Sequence, residues 1–184
     1  MAALRQAQDK PTSAHPLPDY LRPGLDVVFV GINPGLASAA AGHHYAGPTN
    51  HFWPLLSEAR FVPEPATYKD DARMPDLGIG LTNIVDRPSR GIDDLSREEM
   101  LAGAGRLRVK LRKHHPRVLC FNGKAIYEAF AGRRCDLGEQ ADRWEGMVVF
   151  VMPSTSARAA SYQRADKLRF FRALKRLVDR EAAR

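Results

Sequence analysis

The chain has 184 residues, 44% of them hydrophobic, which fits one globular domain with a sizeable core. No apolar run is long enough to cross a bilayer, and residues 1–20 lack the apolar stretch of a signal peptide. The formal net charge of +7 favours a polyanionic partner, while two separated cysteines argue against a structural zinc site or an iron–sulfur cluster.

Strand and helix patterns alternate along most of the chain, which we interpret as a single domain of residues 23–184 after a flexible lead-in of residues 1–22. In chain order the predicted elements are a strand at 27–30, a helix at 50–60, a strand at 80–85, a helix from 96 to about 113, a strand at 118–121, a helix at 123–131, a strand at 147–152 and a helix at 165–181. This alternation predicts an α/β fold, a three-layer αβα sandwich with a short, mostly parallel central sheet.

Four loops are predicted to meet at one rim of this sheet. Ligands of parallel sheets bind beyond the carboxyl ends of the strands. The segments that follow the predicted strands are the loop from 31, the loop from 86, the turn at 122–123 and the loop from 153. We therefore expect the functional site along these four segments.

The first of these loops, residues 31–35 (Gly-Ile-Asn-Pro-Gly), cannot continue a strand and displays one short polar side chain, Asn33. An amide is not a base near neutral pH, but its carbonyl oxygen can hold a water molecule. The loop therefore suits a reaction that needs a placed nucleophile more than a strong one. The alternative is that Asn33 only bonds within its own loop.

Aromatic and histidine side chains follow the first loop. Tyr45 is either a stacking platform for a flat base or a partly buried core tyrosine. His43 and His44 lack a neighbouring ligand at metal-binding spacing, so a metal site is disfavoured. Phe52 and Trp53 are predicted to be core residues from their helical spacing, and Cys120 is predicted to be a small core residue of a strand.

Five segments occur in order: residues 31–36 (Gly-Ile-Asn-Pro-Gly-Leu), 42–45 (Gly-His-His-Tyr), 50–53 (Asn-His-Phe-Trp), 78–83 (Gly-Ile-Gly-Leu-Thr-Asn) and 152–158 (Met-Pro-Ser-Thr-Ser-Ala-Arg). Together they resemble the mismatch-specific uracil/thymine DNA glycosylase family, a branch of the uracil-DNA glycosylase superfamily. The resemblance runs from about residue 25 to the C-terminus. The second and last segments look closer to the thymine-DNA glycosylases than to the bacterial mismatch-uracil enzymes.

The resemblance implies cleavage of the N-glycosidic bond of a flipped-out pyrimidine, through an oxocarbenium-like transition state. Asn33 then corresponds to the residue that positions the water, and His44 to a hydrogen-bond donor or water holder. Backbone N–H groups near Ile32 and Tyr45 would stabilise the departing base anion, as in an oxyanion hole.

The implied substrate-binding residues are Ile32, Ser38, Tyr45 and Asn83. Tyr45 corresponds to the aromatic residue beneath the flipped base. Asn83 corresponds to the polar position that reads the pyrimidine edge, since an amide offers both a donor and an acceptor; the alternative is a strand-end residue that satisfies local backbone. Ser38 lies where the pocket wall would meet thymine's methyl group.

The expected DNA contacts are Asn122, Lys124, Ser154, Ser156, Ala157 and Arg158. The last four belong to the segment 152–158, whereas Asn122 and Lys124 are expected because they open the helix after the strand at 118–121, where a helix start can hold a phosphate. Arg158 is the expected plug for the hole that flipping leaves in the base stack, because it has a long apolar stem and a planar head; the alternative is a solvated arginine in a serine-rich loop. The serines are expected to hold phosphates, and Tyr162, Arg164 and Lys167 to extend the basic face.

Two positions depart from faster, uracil-specific relatives. Residues 31–35 contain no acidic residue to activate the water, and Met152 stands where relatives place a histidine. Both departures suggest low turnover and wider substrate tolerance. Three acids follow the strand predicted at 80–85, and we favour Asp93 over Asp86 and Asp94 as a catalytic contributor; the alternative is that all three are solvated loop or helix N-terminal acids.

The resemblance thus implies a monofunctional DNA glycosylase for uracil, and thymine if it fits, in mismatched duplex DNA. No lysine of the first loop offers a Schiff-base nucleophile, and no metal or organic cofactor is implied. We expect a monomer, in a bacterial cytoplasm at the nucleoid or in a eukaryotic nucleus. The alternatives are a mismatch sensor that grips a base without cutting it and an enzyme that binds small nucleotides.

Overall fold

The computed structural model describes residues 16–184, which contain one five-stranded sheet in the order β2-β1-β3-β5-β4. Strands β1 (Val27–Gly31), β2 (Ile79–Asn83), β3 (Val118–Asn122) and β5 (Val148–Met152) are parallel, and β4 (Gly138–Glu139) pairs antiparallel with β5. The carboxyl ends are level, because Gly31 pairs with Asn83 and Asn122 pairs with Met152. The four predicted loops therefore do share one rim.

Helices cover both faces of the sheet. Residues 16–184 form the α-helices α1 (Leu36–Ala41), α2 (Phe52–Glu58), α3 (Arg97–His114), α4 (Lys124–Ala131) and α5 (Arg164–Ala182), together with 3-10 helices at Tyr68–Leu77 and Ile92–Asp94. One core cluster lies between the sheet and α2 and α5, and the other lies between the sheet and α3 and α4. The predicted three-layer α/β sandwich is therefore confirmed.

Alternation along the strands divides the core between the two faces. Phe29 and Cys120 point toward α2 and α5, whereas their neighbours Val28 and Leu119 point toward α3 and α4. Phe52 and Cys120 are fully buried and Trp53 is 4% exposed, so their predicted core placement is confirmed.

The capping box at the start of α3 forms as predicted. Ser96 Oγ accepts the Glu99 N–H at 3.1 Å, and the Glu99 carboxylate accepts the Ser96 N–H at 2.9 Å. Helix α2 begins two residues later than predicted, because the Asn50 carboxamide oxygen accepts the Phe52 N–H at 3.0 Å and forms a turn before the helix.

Residues 16–22, assigned to the lead-in from sequence, pack on the domain. Tyr20 and Leu81 exchange backbone hydrogen bonds of 2.9 and 3.1 Å along the free edge of β2. Asp19 accepts from Thr82 Oγ1 at 2.5 Å and pairs with Lys110 at 2.6 Å. The packed domain therefore includes these residues, and the rest of the lead-in lies outside the described residues. No helix of residues 16–184 is long and apolar enough to cross a membrane.

Candidate active site

Asn33 is held by its amide nitrogen. Nδ2 donates to the Arg87 carbonyl at 2.7 Å and to Ser89 Oγ at 2.8 Å. A carbonyl can only accept, so the nitrogen must be the atom that faces Arg87. Oδ1 therefore points away from both partners, and none of the described residues donates to it. The side chain ties two loops together and still presents an oxygen that can accept a hydrogen bond from water.

Ser89 was missed by the sequence analysis. It is 5% exposed, its hydroxyl accepts from Asn33, and it donates to the Gly91 carbonyl at 2.8 Å. Its backbone N–H donates to the Pro34 carbonyl at 3.1 Å, so Ser89 itself joins the loops after β1 and β2 twice, in addition to the bond between Asn33 and the Arg87 carbonyl. The available signal was its position in the loop after β2, where the sequence analysis considered only the acids.

His44 is a neutral, buried imidazole. It is 2% exposed, and Nε2 lies 2.8 Å from the Pro18 carbonyl, so Nε2 carries the proton and Nδ1 keeps a lone pair. Burial lowers the pKa of His44 below its ordinary value, and this outweighs the nearby Asp71, which raises it. The predicted donor role does not fit, because the ring proton is already used. A water holder that accepts through Nδ1 fits.

A buried carboxylate that the sequence analysis missed holds the loop of His43 and His44. Asp71 is fully buried; it accepts the His44 backbone N–H at 2.9 Å and lies 2.9 Å from His43 Nδ1. The pKa of the nearby Tyr20 hydroxyl is raised, by burial first and by the Asp71 carboxylate second. Asp71 lies in a polar segment that reads as solvated, so no sequence signal marked it.

Tyr45 and Asn83 meet above Gly31. Tyr45 has a φ of 54° and its ring stacks on Phe52, with centroids 3.9 Å apart and planes inclined by 17°. A Cβ built at Gly31 would lie 2.4 Å from Asn83 Oδ1 and 3.1 Å from the Tyr45 hydroxyl, so glycine is required there. These two polar groups therefore lie directly over the backbone at the end of β1.

Both groups remain without partners in residues 16–184. The Tyr45 hydroxyl is buried without a hydrogen bond of good geometry, although the Asn122 carboxamide lies nearby, and burial raises its pKa. The Asn83 side chain is 8% exposed and makes no hydrogen bond there, so the strand-end alternative is not observed. A buried hydroxyl and a free amide are available to a ligand at this point.

Ser38 and Ile32 are used within the loops. Ser38 is 6% exposed and its hydroxyl accepts the Ala46 N–H at 3.0 Å, so it shapes the turn that carries Tyr45. The Ile32 carbonyl accepts the Val85 N–H at 2.8 Å. A direct contact of Ser38 with substrate is not supported by this placement, whereas the role of the Ile32 N–H stays a prediction.

Asn122 does not face DNA as predicted. It is 5% exposed, Nδ2 donates to Thr155 Oγ1 at 2.9 Å, and Oδ1 accepts the Thr155 N–H at 2.9 Å. Both ends of its carboxamide are engaged with the fully buried Thr155. Asn122 therefore anchors the loop after β5, and its burial does not support the predicted phosphate contact.

The other predicted DNA contacts are half-buried or exposed, and all of them except Lys124, the first residue of α4, lie on that loop. Ser154 Oγ accepts the Ser156 N–H and Ser156 Oγ accepts the Arg158 N–H, each at 3.3 Å, which leaves both hydroxyl protons free to donate. Ala157 and Lys124 are exposed, and the Arg158 guanidinium donates to the Arg90 carbonyl. The loops after β2 and β5 thus touch across the rim.

The three acids after β2 are not joined to Asn33. Asp93 is exposed and makes no hydrogen bond or ion pair within the part of the chain that the structure describes. Asp94 accepts the Arg90 N–H at 3.0 Å, and Asp86 lies 3.8 Å from the Lys110 ammonium on α3. Asp93 is not part of the hydrogen-bond network around Asn33, so its predicted catalytic role is not supported.

Arg164 and Lys167 do not extend a basic face as predicted. Arg164 pairs with Glu58, and Lys167 is 1% exposed, so neither is a free surface cation. Within residues 16–184, no cluster of three or more His, Cys, Asp or Glu side chains is arranged to hold a metal ion.

Two comparisons with known proteins show what this chain is similar to. Residues 18–177 match the model of the uracil DNA glycosylase superfamily. A protein of Schizosaccharomyces pombe named "G/U mismatch-specific uracil DNA glycosylase" is 36% identical over 157 residues, which make up 79% of this chain and 48% of that protein. The chain therefore spans about half the length of this curated relative.

Proposed function

The chain belongs to the uracil DNA glycosylase superfamily, and on that premise we propose that it is a monofunctional glycosylase that removes uracil from mismatched duplex DNA. The observation that carries the proposal is the fixed Asn33 amide, whose nitrogen is bound twice and whose oxygen faces away. The relative named for G/U mismatches supports the choice of substrate. Thymine is a further substrate if the pocket admits its methyl group.

The proposed reaction follows from the neutral character of the site. The duplex hides the glycosidic bond, so the nucleotide is flipped out first. Bond cleavage gives an oxocarbenium-like sugar and a base anion, and a water held on Asn33 Oδ1 adds to the sugar carbon. His44 Nδ1 is a second acceptor for that water. The base anion is stabilised by the N–H groups near Ile32 and Tyr45 and takes up the proton that the water loses.

Recognition of the base is assigned to the two unpartnered groups. The Asn83 amide offers a donor and an acceptor, which complement the carbonyl and N–H of a uracil edge. The face of Tyr45 turned away from Phe52 would stack on the base, and its buried hydroxyl would gain a partner from the ligand.

The proposed partner is double-stranded DNA. The Ser154 and Ser156 hydroxyls and the Lys124 ammonium would contact phosphates, and Arg158 would leave the Arg90 carbonyl to fill the hole in the stack. The product is an abasic site for later repair enzymes. The protein acts as a monomer, without a metal or organic cofactor, in the compartment that holds the DNA.

Base release from end-labelled duplexes with G:U, A:U or G:T pairs, and from single-stranded uracil DNA, tests the proposal. Wild type and Asn33→Ala are compared side by side, with Val109→Ala, an exposed position on α3, as the control for handling. We expect alkali-dependent cleavage at uracil that Asn33→Ala abolishes while it still binds DNA. Binding without release from any substrate would instead establish the mismatch sensor.

A further inference from the structure

Lys167 is a buried cation in the first turn of α5. It is 1% exposed, and Nζ donates to the Ser156 carbonyl at 2.9 Å. No carboxylate oxygen of residues 16–184 lies within the 4.0 Å of an ion pair with it. The adjacent Asp166 accepts the Gln163 N–H and pairs with Arg169 instead. Burial lowers the pKa of Lys167.

Among residues 16–184, no carboxylate balances the charge of Lys167. His51 lies beside it, and its pKa is lowered by burial and by the charges of Lys167 and Arg164. Arg164 itself is paired with Glu58. A buried ammonium without a counter-ion is unfavourable for folding, and a neutral donor would bind one carbonyl at a lower cost. The stability of the folded protein therefore does not explain why this position carries a charge.

Lys167 braces the turn that carries Arg158. The Ser156 carbonyl accepts from Lys167 and also from the Ala159 N–H at 3.1 Å, which closes a turn over residues 156–159. On its other side the loop is held by Thr155, whose carbonyl accepts the His51 N–H at 3.0 Å. The ammonium is thus bound to the backbone of the segment that carries the half-buried Ser154 and Ser156 and the exposed Arg158.

We propose that Lys167 is a positioning residue for DNA binding, which holds the turn of Arg158 and whose buried charge is neutralised by a backbone phosphate when the duplex settles on that turn. This proposal rests on the proposed function, because the phosphate belongs to the duplex. The protein is thereby expected to be less stable with the lysine than with a neutral residue of similar length, and to bind DNA better.

The test compares Lys167→Met with Lys175→Met, two turns further along α5. Lys175 has a side chain 28% exposed and pairs with Asp179 at 2.5 Å, so its variant removes the same charge without touching the turn. Urea unfolding is measured for each single variant. Duplex affinity is measured in an Asn33→Ala background over a range of salt concentrations, and base release is measured with Asn33 intact.

We expect Lys167→Met to unfold at a urea concentration equal to or above that of wild type, yet to bind the G:U duplex about tenfold more weakly. The slope of log Kd against log salt becomes shallower by up to about 0.9, the contribution of one phosphate contact. Lys167→Arg keeps the charge and restores the slope.

A Lys167→Met protein that is less stable than wild type and keeps the wild-type salt slope would overturn the proposal, as would binding equal to that of Lys175→Met. If wild type releases no base at all, the proposed function fails, while the affinities and slopes still decide the role of Lys167.

Discussion

The link between Ser89 and Asn33 gives the sharpest test of the water-positioning geometry. Ser89→Ala removes the 2.8 Å bond to Asn33 and the 2.8 Å bond to the Gly91 carbonyl, and it leaves the Arg87 contact of 2.7 Å intact. Losing one net hydrogen bond costs about 0.5–1.5 kcal/mol. Because 1.36 kcal/mol corresponds to a factor of ten in rate, the single-turnover rate constant should fall by about two- to thirteenfold.

The assay is base release from a G:U duplex with enzyme in saturating excess, so that binding does not enter the rate. Ser89→Thr keeps the hydroxyl and should retain most of the wild-type rate, and urea unfolding shows whether either variant loses stability. Release of uracil by Ser89→Ala at the wild-type rate, or no more slowly than by Ser89→Thr, would refute this role of the Ser89 hydroxyl.

Two further predictions concern the loop of His43 and His44. Asp71→Ala leaves the His44 N–H without its acceptor in a fully buried position, so urea unfolding should show a loss of about 2–3 kcal/mol, and an unchanged midpoint would contradict this account. The lowered pKa of His44 means that the folded protein resists its protonation, so stability is fully present above the ordinary value of 6.5 and declines as pH falls below it. The urea midpoint is measured for wild type and for His44→Gln from pH 8 to pH 5. The wild-type midpoint minus the variant midpoint should become smaller as the pH falls, and a difference that does not change with pH would exclude this role.

Much of the fold follows from local sequence signals. The strands are short apolar runs that end in turn residues, and the start of α3 is marked by a side-chain pair three residues apart. Because ligands of parallel sheets bind beyond the carboxyl ends of the strands, Asn33, Asn83 and the loop after β5 can be placed at one rim without any knowledge of contacts. Signals of this kind can be recognised in the sequence alone because the residues that produce them are close together along the chain.

Some elements carry no such signal. Helix α1 has one large apolar residue, Leu36, which is exposed, and the 3-10 helix Tyr68–Leu77 contains Pro75. Strand β4 is two residues long and includes Gly138. Each is formed by packing on the rest of the domain, and neither periodicity nor propensity identifies it.

The errors within the site have one physical origin. Asn122 looks like a DNA contact until its partner Thr155, 33 positions away, is placed beside it. The tautomer of His44 depends on a carbonyl 26 positions earlier, and the anchoring of Asn33 depends on Ser89, 56 positions later. A polar residue at a strand end is equally suited to a ligand and to a neighbouring loop, and only the three-dimensional structure decides between them.

The structure separates neutral groups from charged ones in a way that bears on the proposed chemistry. The groups over Gly31 are an amide and a hydroxyl, and Asn33 is also an amide, while the buried side chains of Asp71 and Lys167 are hydrogen-bonded to the backbone of the loops that they hold. A carboxylate beside the pocket would activate water, but it would also repel the anionic base as it leaves. A neutral pocket avoids that repulsion, but it activates the attacking water less strongly. Discrimination then rests on how easily a base leaves the stack, which is easiest for a mispaired one, so the proposed enzyme should act faster on G:U than on A:U pairs.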